Sequence, residues 1–322
     1  MKQILFRLEA NSNVGLGHFI RSLTLARAAK KRQDTSVLFL MKESSDFVNS
    51  LLSQDDLPLR SLSSSSQSDE TSLILKKFPN SILISDFYEH DSSYFKAFQN
   101  TSICTVQFDD LAYQNEYLPD FILNHNPYAN PDMYAGITSS KTKLIAGAAF
   151  CLIRPELQKI YTAKKFNNPP QNVLITYGGT NQPELLNSTI STLSTLSQYH
   201  FRVLTNHKIK VPKHIELIPF QIDMKSQYLW ADIVLTASGS TCWDILYGQI
   251  PFIHLQTADN QKLIHRFLMK NNLGIAIQSI DELIPAIQKL EINFDELKSS
   301  LSKNPIQIDT NGASRILDII LK

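Results

Sequence analysis

Cysteine is scarce in these 322 residues: Cys104, Cys151 and Cys242 are far apart and share no C-x-x-C spacing. A disulfide framework and a cysteine zinc site are therefore not expected; reduced thiols in a cytoplasmic protein are. The eight histidines never pair as H-x-H or H-x-x-x-H, so no metal site is expected either. Charge of one sign is also lacking. Lys and Arg number 31 against 30 Asp and Glu, a net charge of +1, with no long basic run. A nucleic-acid partner is not expected. No stretch of about 18 apolar residues is present, so neither a membrane span nor stable membrane association is expected. The opening run Ile4-Leu5-Phe6 reads as a strand, without the charged-then-apolar pattern of a secretory signal, and the expected location is the cytoplasm. No repeat of about 20–50 residues is visible, which argues against solenoids and propellers.

What is present is ordinary globular material: 43% hydrophobic and 19% charged residues, enough for two domains of roughly 150 residues each. Short apolar runs without strict alternation fall at 2–8, 36–41, 82–84, 103–108, 121–123 and 143–146. Such runs suit parallel strands buried on both faces. A segment over 153–171 carries Pro155, Pro169 and Pro170, and the pattern then restarts at 173–175, 201–204, 215–218, 233–236 and 252–255. Helical patterns are read at 17–31, 183–199, 223–230, 240–247, 259–271, 280–290, 293–302 and 311–321, and residues 63–68 read as an exposed loop. Strands alternating with helices predict an α/β protein of two facing Rossmann-like domains with parallel sheets that share one cleft. The expected domains are 1–155 and 170–308, with a C-terminal helix over 309–322.

Four strand-to-helix loops carry candidate chemistry. The first is Gly15-Leu16-Gly17-His18. Two glycines let the backbone pass close to a ligand, and the helix start that follows offers free N–H groups. A helix start disfavours added positive charge, which suits a histidine that has to accept a proton. A capping loop with a packed histidine fits the same residues. The dinucleotide fingerprint does not match, because Ile20 stands where a third glycine is needed, and NAD is rejected. The second loop is Tyr177-Gly178-Gly179-Thr180-Asn181, either a phosphate or sugar site or a tight turn. The third is Ser238-Gly239-Ser240-Thr241, a candidate diphosphate cradle, with Asp244 one turn later as a candidate ribose ligand. An ordinary helix cap is the alternative. The fourth, ending at Asp259-Asn260-Gln261, offers amides that suit sugar hydroxyls or acetamido groups, with Asp259 as a plain helix cap the alternative. In the first half, Asp86 ends one strand with Tyr88 just after it, either candidate site residues or a surface turn, and Asp109-Asp110 ends another. The acidic pair is read as a turn in preference to a Mg²⁺ site, and His125 as a hydrogen-bonded loop histidine.

Taken together, these segments carry a resemblance. Gly15-Leu16-Gly17-His18 followed by Arg21 resembles the nucleotide-sugar hydrolases of pseudaminic acid biosynthesis, which remove UDP from UDP-2,4-diacetamido-2,4,6-trideoxy-β-L-altropyranose. Asp86 with Tyr88, Asp109-Asp110, Asn124 with Tyr134, Leu152 to Glu156, Gly178-Gly179-Thr180, Ser238 to Thr241 and Asn260-Gln261 match in order. The second half also looks like the UDP-GlcNAc-binding half of MurG-type glycosyltransferases. The resemblance implies a GT-B fold and a metal-independent, inverting hydrolysis of a UDP-sugar without a cofactor. His18 is the implied base. The implied substrate-binding residues are Gly15, Gly17, Arg21, Asp86, Tyr88, Gly178, Gly179, Thr180, Ser238, Gly239, Ser240, Asp244, Asn260 and Gln261. Glu9, Asn181 and Asp244 depart from the family's usual Asp, Asp and Glu, which leaves the sugar open. The alternatives are a GT-B glycosyltransferase using a UDP-sugar donor and a non-catalytic sugar-nucleotide-binding protein.

Overall fold

A computed structural model describes residues 1–10, 16–63, 66–178, 182–220, 223–303 and 305–322. Gly15, Gly179, Thr180 and Asn181 lie outside the described residues. The chain divides into two units, Met1–Leu152 with Asp309–Lys322, and Ile153–Ile308.

The first unit holds β1 (Lys2–Leu8), β2 (Thr35–Met41), β3 (Leu59–Ser61), β4 (Ile82–Asp86), β5 (Cys104–Phe108), β6 (Phe121–Asn124) and β7 (Lys143–Ala146). They form one parallel sheet in the order β3-β2-β1-β4-β5-β6-β7. Phe6 of β1 pairs with Phe39 on one side and Ile84 on the other, and all three are buried. The second unit holds β8 (Asn172–Thr176), β9 (His200–Leu204), β10 (Ile215–Ile218), β11 (Ile233–Ala237), β12 (Phe252–Leu255) and β13 (Ile275–Ile277). These form a second parallel sheet in the order β10-β9-β8-β11-β12-β13.

The apolar runs predicted as strands are strands. The elements that differ have local reasons. β3 (Leu-Arg-Ser) is a half-exposed edge strand without an apolar run, and β13 is only three residues long. Of the expected loop over 63–68, residues 64 and 65 lie outside the described residues, and Gln67 and Ser68 belong to the helix Gln67–Lys77. The Ser66 hydroxyl accepts from Asp69 N (3.1 Å) and caps it. The helix Asp46–Gln54 is likewise capped by Ser45. The helix expected over 183–199 stops at Leu193, where the Ser194 hydroxyl donates to the Ile190 carbonyl (2.7 Å) and competes with the helical ladder.

Arg7, fully buried in β1, is the exception to an apolar strand. A buried guanidinium needs partners. It donates to Glu70 (2.7 and 3.1 Å) and to Glu9 (2.6 Å), while Glu9 accepts the Lys42 and Glu43 N–H groups at the end of β2. Tyr94 also donates to Glu70 (2.9 Å). The network binds the helix Gln67–Lys77 to the end of β1, on the N-terminal side of the segment that leads to His18.

Asp309–Lys322 is held to the first unit by close backbone approach. The helix Gly312–Ile320 starts so near Cys151 that a Cβ on Gly312 would lie 2.1 Å from the Cys151 carbonyl oxygen. Arg315 donates to Ala149 O (2.9 Å) and pairs with Asp309 (2.6 Å). Gly312→Ala is expected to lower stability by about 1–3 kcal/mol as the helix is pushed outward. Gly17→Ala, where a Cβ meets nothing within 4 Å, is the control in urea denaturation; equal stability of the two variants would contradict the close approach.

Candidate active site

In the first sheet β1 and β4 are neighbours although β2 and β3 lie between them in sequence. The connections leave in opposite directions there, and the carboxyl ends of such strands form the crevice where α/β sheets bind ligands. The ends of β1, β4, β5 and β6 lie side by side, and each delivers a polar residue. The helix Gly17–Lys30 follows β1 and places His18, Arg21 and Ser22 on one face by their spacing of three and four. The other strands end in Asp86, Asp109-Asp110 and Asn124 to Asn126.

These side chains form one buried network. Asp86 Oδ1 lies 2.6 Å from His18 Nδ1, and Arg21 donates to Asp86 through Nε (2.7 Å) and Nη2 (2.5 Å). Ser22 donates to Asp86 Oδ2 at 3.3 Å. The other edge of Arg21 donates to both oxygens of Asp110 (2.8 and 2.9 Å). Asp110 also accepts from the Tyr88 hydroxyl (2.8 Å) and Asn126 Nδ2 (2.7 Å). The Phe108 ring lies under the guanidinium at 4.6 Å, a cation–π contact. The Tyr88 ring meets the His18 ring edge-on, with centroids 4.8 Å apart. The site thus brings together His18, Arg21, Asp86 and Tyr88, all singled out in the sequence. Gly17 opens the helix with free space beside it, since a Cβ there meets no atom within 4 Å.

The charges are fixed by this pairing. Burial pushes the Asp86 carboxyl up, but Arg21 and His18 outweigh it and hold it well below the usual carboxylate range. The same contest, with Arg21 the main opposing partner, leaves Asp110 at about 2. Burial opposes the charge on Arg21, and Asp110 and Asp86 more than offset it. Asp86, Asp110 and Arg21 together carry one negative charge in surplus, with His18 not counted. Burial, then Arg21, push His125 down to about 4, so it is neutral; its Nδ1 accepts Leu152 N (3.4 Å).

The acidic pair divides its work. Asp109 makes the turn, accepting Leu111 N (3.0 Å) and Ala112 N (2.6 Å), and is further bound by the Tyr117 (2.6 Å) and Tyr134 (2.9 Å) hydroxyls. Asn124 donates to Tyr134 and accepts from Asn126 (both 2.9 Å). Asp110, read from the sequence as part of a turn, instead clamps Arg21. Among the described residues, no group of three or more His, Cys, Asp and Glu is placed to hold a metal ion.

In the second sheet the equivalent reversal lies between β8 and β11. Gly178 follows β8 with φ +80°, a left-handed conformation that favours glycine. Ser238, Gly239 and Ser240 follow β11. A Cβ on Gly239 would meet nothing within 4 Å, while Ser238 is fully buried. Asp244 is buried and paired with Arg154 (2.9 Å). Burial raises its carboxyl to about 6 although Arg154 opposes the shift. Asn260 is exposed, and Gln261 Oε1 closes its own turn by accepting Thr257 N (2.8 Å). Sequence reasoning missed His254 and His265, which meet Ser238, and the Arg7 network, although a charge inside an apolar strand was a visible signal.

No family model matches the chain. Solved structures match it over nearly their whole length. Acinetobacter baumannii MurG aligns with a TM-score of 0.70 at 14% identity, covering 100% of this chain and 99% of that one. An S. aureus MnaA–UDP structure aligns at 0.69 and 14% identity, covering 99% and 96%.

The chain has the GT-B fold.

Neisseria meningitidis UDP-GlcNAc 2-epimerase bound to UDP-GlcNAc shares this GT-B fold at a TM-score of 0.65 and 12% identity, with 99% of each chain covered. In sequence, the chain is similar to the UDP-2,4-diacetamido-2,4,6-trideoxy-β-L-altropyranose hydrolase of Campylobacter jejuni subsp. jejuni, 32% identical over 184 residues, 55% of this chain. The match spans 61% of that relative's length. Among the described residues no helix is long and apolar enough to cross a membrane.

Proposed function

We propose that this GT-B protein hydrolyses a UDP-2,4-diacetamido-2,4,6-trideoxy sugar, with His18 as the general base. The observation that carries the reading is the 2.6 Å contact between His18 Nδ1 and an Asp86 carboxylate braced by Arg21. An ionised carboxylate only accepts, so Nδ1 carries a proton, and in the neutral ring the lone pair is on Nε2. Nε2 takes a proton from water as the water oxygen attacks the anomeric carbon. The bond from that carbon to the diphosphate oxygen breaks, UDP leaves with the electron pair, and the centre inverts. The proton gained by His18 balances the surplus negative charge of the cluster. The Campylobacter relative and the UDP-bound GT-B neighbours support the substrate class. UDP is assigned to the second unit, with Gly178, Gly179, Thr180, Gly239 and Ser240 around the diphosphate and Asn260 and Gln261 toward the sugar. Asp244, held by Arg154, braces the helix Thr241–Tyr247 in this reading. The test is UDP release from the UDP-sugar with no acceptor present. Release only when an acceptor is added would select a glycosyltransferase, the reading that MurG as a fold neighbour favours.

The reaction is proposed to need no metal, because the carboxylates that could hold one are saturated. Asp109 is bound by two tyrosine hydroxyls and two backbone N–H groups, and Asp110 by Arg21, Tyr88 and Asn126. Chelator is therefore expected to leave the rate unchanged. Loss of activity restored by Mg²⁺ would contradict this.

A further inference from the structure

In the second unit three buried polar side chains from three places in the chain meet at one point. Ser238 follows β11, His254 lies in β12, and His265 lies on the helix Lys262–Lys270. The Ser238 hydroxyl is 3.1 Å from His254 Nδ1 and 2.9 Å from His265 Nδ1, and the two ring nitrogens are 3.2 Å apart. A hydroxyl has one proton, so it donates to one ring and accepts from the other. The two rings must then be opposite tautomers. His254 Nε2 is buried with no partner. A buried N–H without an acceptor is rarer than a buried bare lone pair, which puts the His254 proton on Nδ1. The chain of donors runs from His254 Nδ1–H to Ser238 Oγ, and from the Ser238 hydroxyl to His265 Nδ1. Burial lowers the proton affinity of both rings, which keeps them neutral and the chain intact.

We propose that Ser238, His254 and His265 form an internal lock that positions the Gly239-Ser240 turn for a nucleotide diphosphate, and that Ser238 itself does not touch the ligand. The inference rests on the proposed UDP-sugar reading of this unit. Phosphate oxygens only accept, and the single proton of Ser238 is committed to His265. The donors to a diphosphate at this turn must come from elsewhere, such as the Ser240 hydroxyl. His265 lies one helical turn beyond Gln261. The lock therefore joins the loop after β11 to the loop after β12, so that the two move as one piece. His254 and His265 are positioning residues, not catalytic ones.

The test is calorimetric titration of UDP into the full chain, with thermal unfolding recorded alongside. Ser238→Ala and His265→Leu are each expected to weaken UDP binding about tenfold, and the double variant is expected to be no worse than about twofold beyond either, because the residues act as a unit. His265→Asn puts an acceptor oxygen near the Nδ1 position and is expected to restore binding to within about threefold of wild type. Additive losses, or a loss in Ser238→Ala with none in His265→Leu, would assign the hydroxyl to the ligand and overturn the lock. Unchanged UDP affinity in every folded variant would overturn its positioning role. Failure of the folded wild type to bind UDP would instead overturn the nucleotide reading, and the lock's proposed purpose with it.

Discussion

His18→Ala is expected to lower turnover by about 10²–10⁴-fold, the usual contribution of a positioned general base, while UDP affinity stays within about twofold of wild type. The two effects separate because the proton transfer is assigned to the first unit and UDP binding to the second. His18 has 8% exposure and packs edge-on against Tyr88, and its removal leaves the Arg21 clamp on Asp86 and Asp110 in place. The fold should therefore survive. Steady-state rates and UDP titration on the same preparation check this, and wild-type turnover in the variant would remove His18 from the mechanism.

Asp86→Asn should damage both fold and rate. The carboxylate accepts from His18, Ser22 and two Arg21 nitrogens. An asparagine side chain offers one acceptor oxygen and turns an N–H₂ toward groups that are themselves donors. Removing one partner of a buried ion pair costs about 3–5 kcal/mol, and the His18 tautomer is no longer fixed, so turnover should fall by about 10²-fold or more. The pH dependence has a definite sign. Asp86 and Asp110 are both held below their ordinary values, Asp110 at about 2. Their stabilisation is complete above the unfolded carboxyl value of about 4 and is lost as pH falls through the lower folded values. Wild-type stability should decline on acidification from about pH 4 downward, and Asp86→Asn should decline less. Urea denaturation across that range measures it; parallel curves would show that Asp86 is not held as an ion.

Much of the fold was legible because its strands are buried on both faces and so read as plain apolar runs. β3 and the capped helices Asp46–Gln54 and Gln67–Lys77 were not, since an exposed edge and a serine cap leave little hydrophobic signal. The site was legible in part. His18, Asp86 and Tyr88 are legible at strand ends and Arg21 through a resemblance, and the sheet order brings the strand ends together. The pairing was not readable. Asp109 and Asp110 are adjacent and chemically identical, yet one makes a turn and the other grips Arg21, because successive side chains leave a strand end on opposite sides. Ser238 reads in the sequence as part of a candidate diphosphate cradle, and its hydroxyl lies within hydrogen-bond distance of two histidines contributed from sixteen and twenty-seven residues away. Nothing in local sequence marks contacts at that range.

The central claim, that water activated at His18 attacks the sugar carbon, is tested most directly by running the reaction in ¹⁸O-labelled water without acceptor. The expected result is label in the free sugar at its anomeric oxygen, none in UDP, and an inverted anomer in the first NMR spectra. Label in the UDP phosphate would mean attack at phosphorus, and no release without an acceptor would mean a transferase; either would contradict the hydrolase reading.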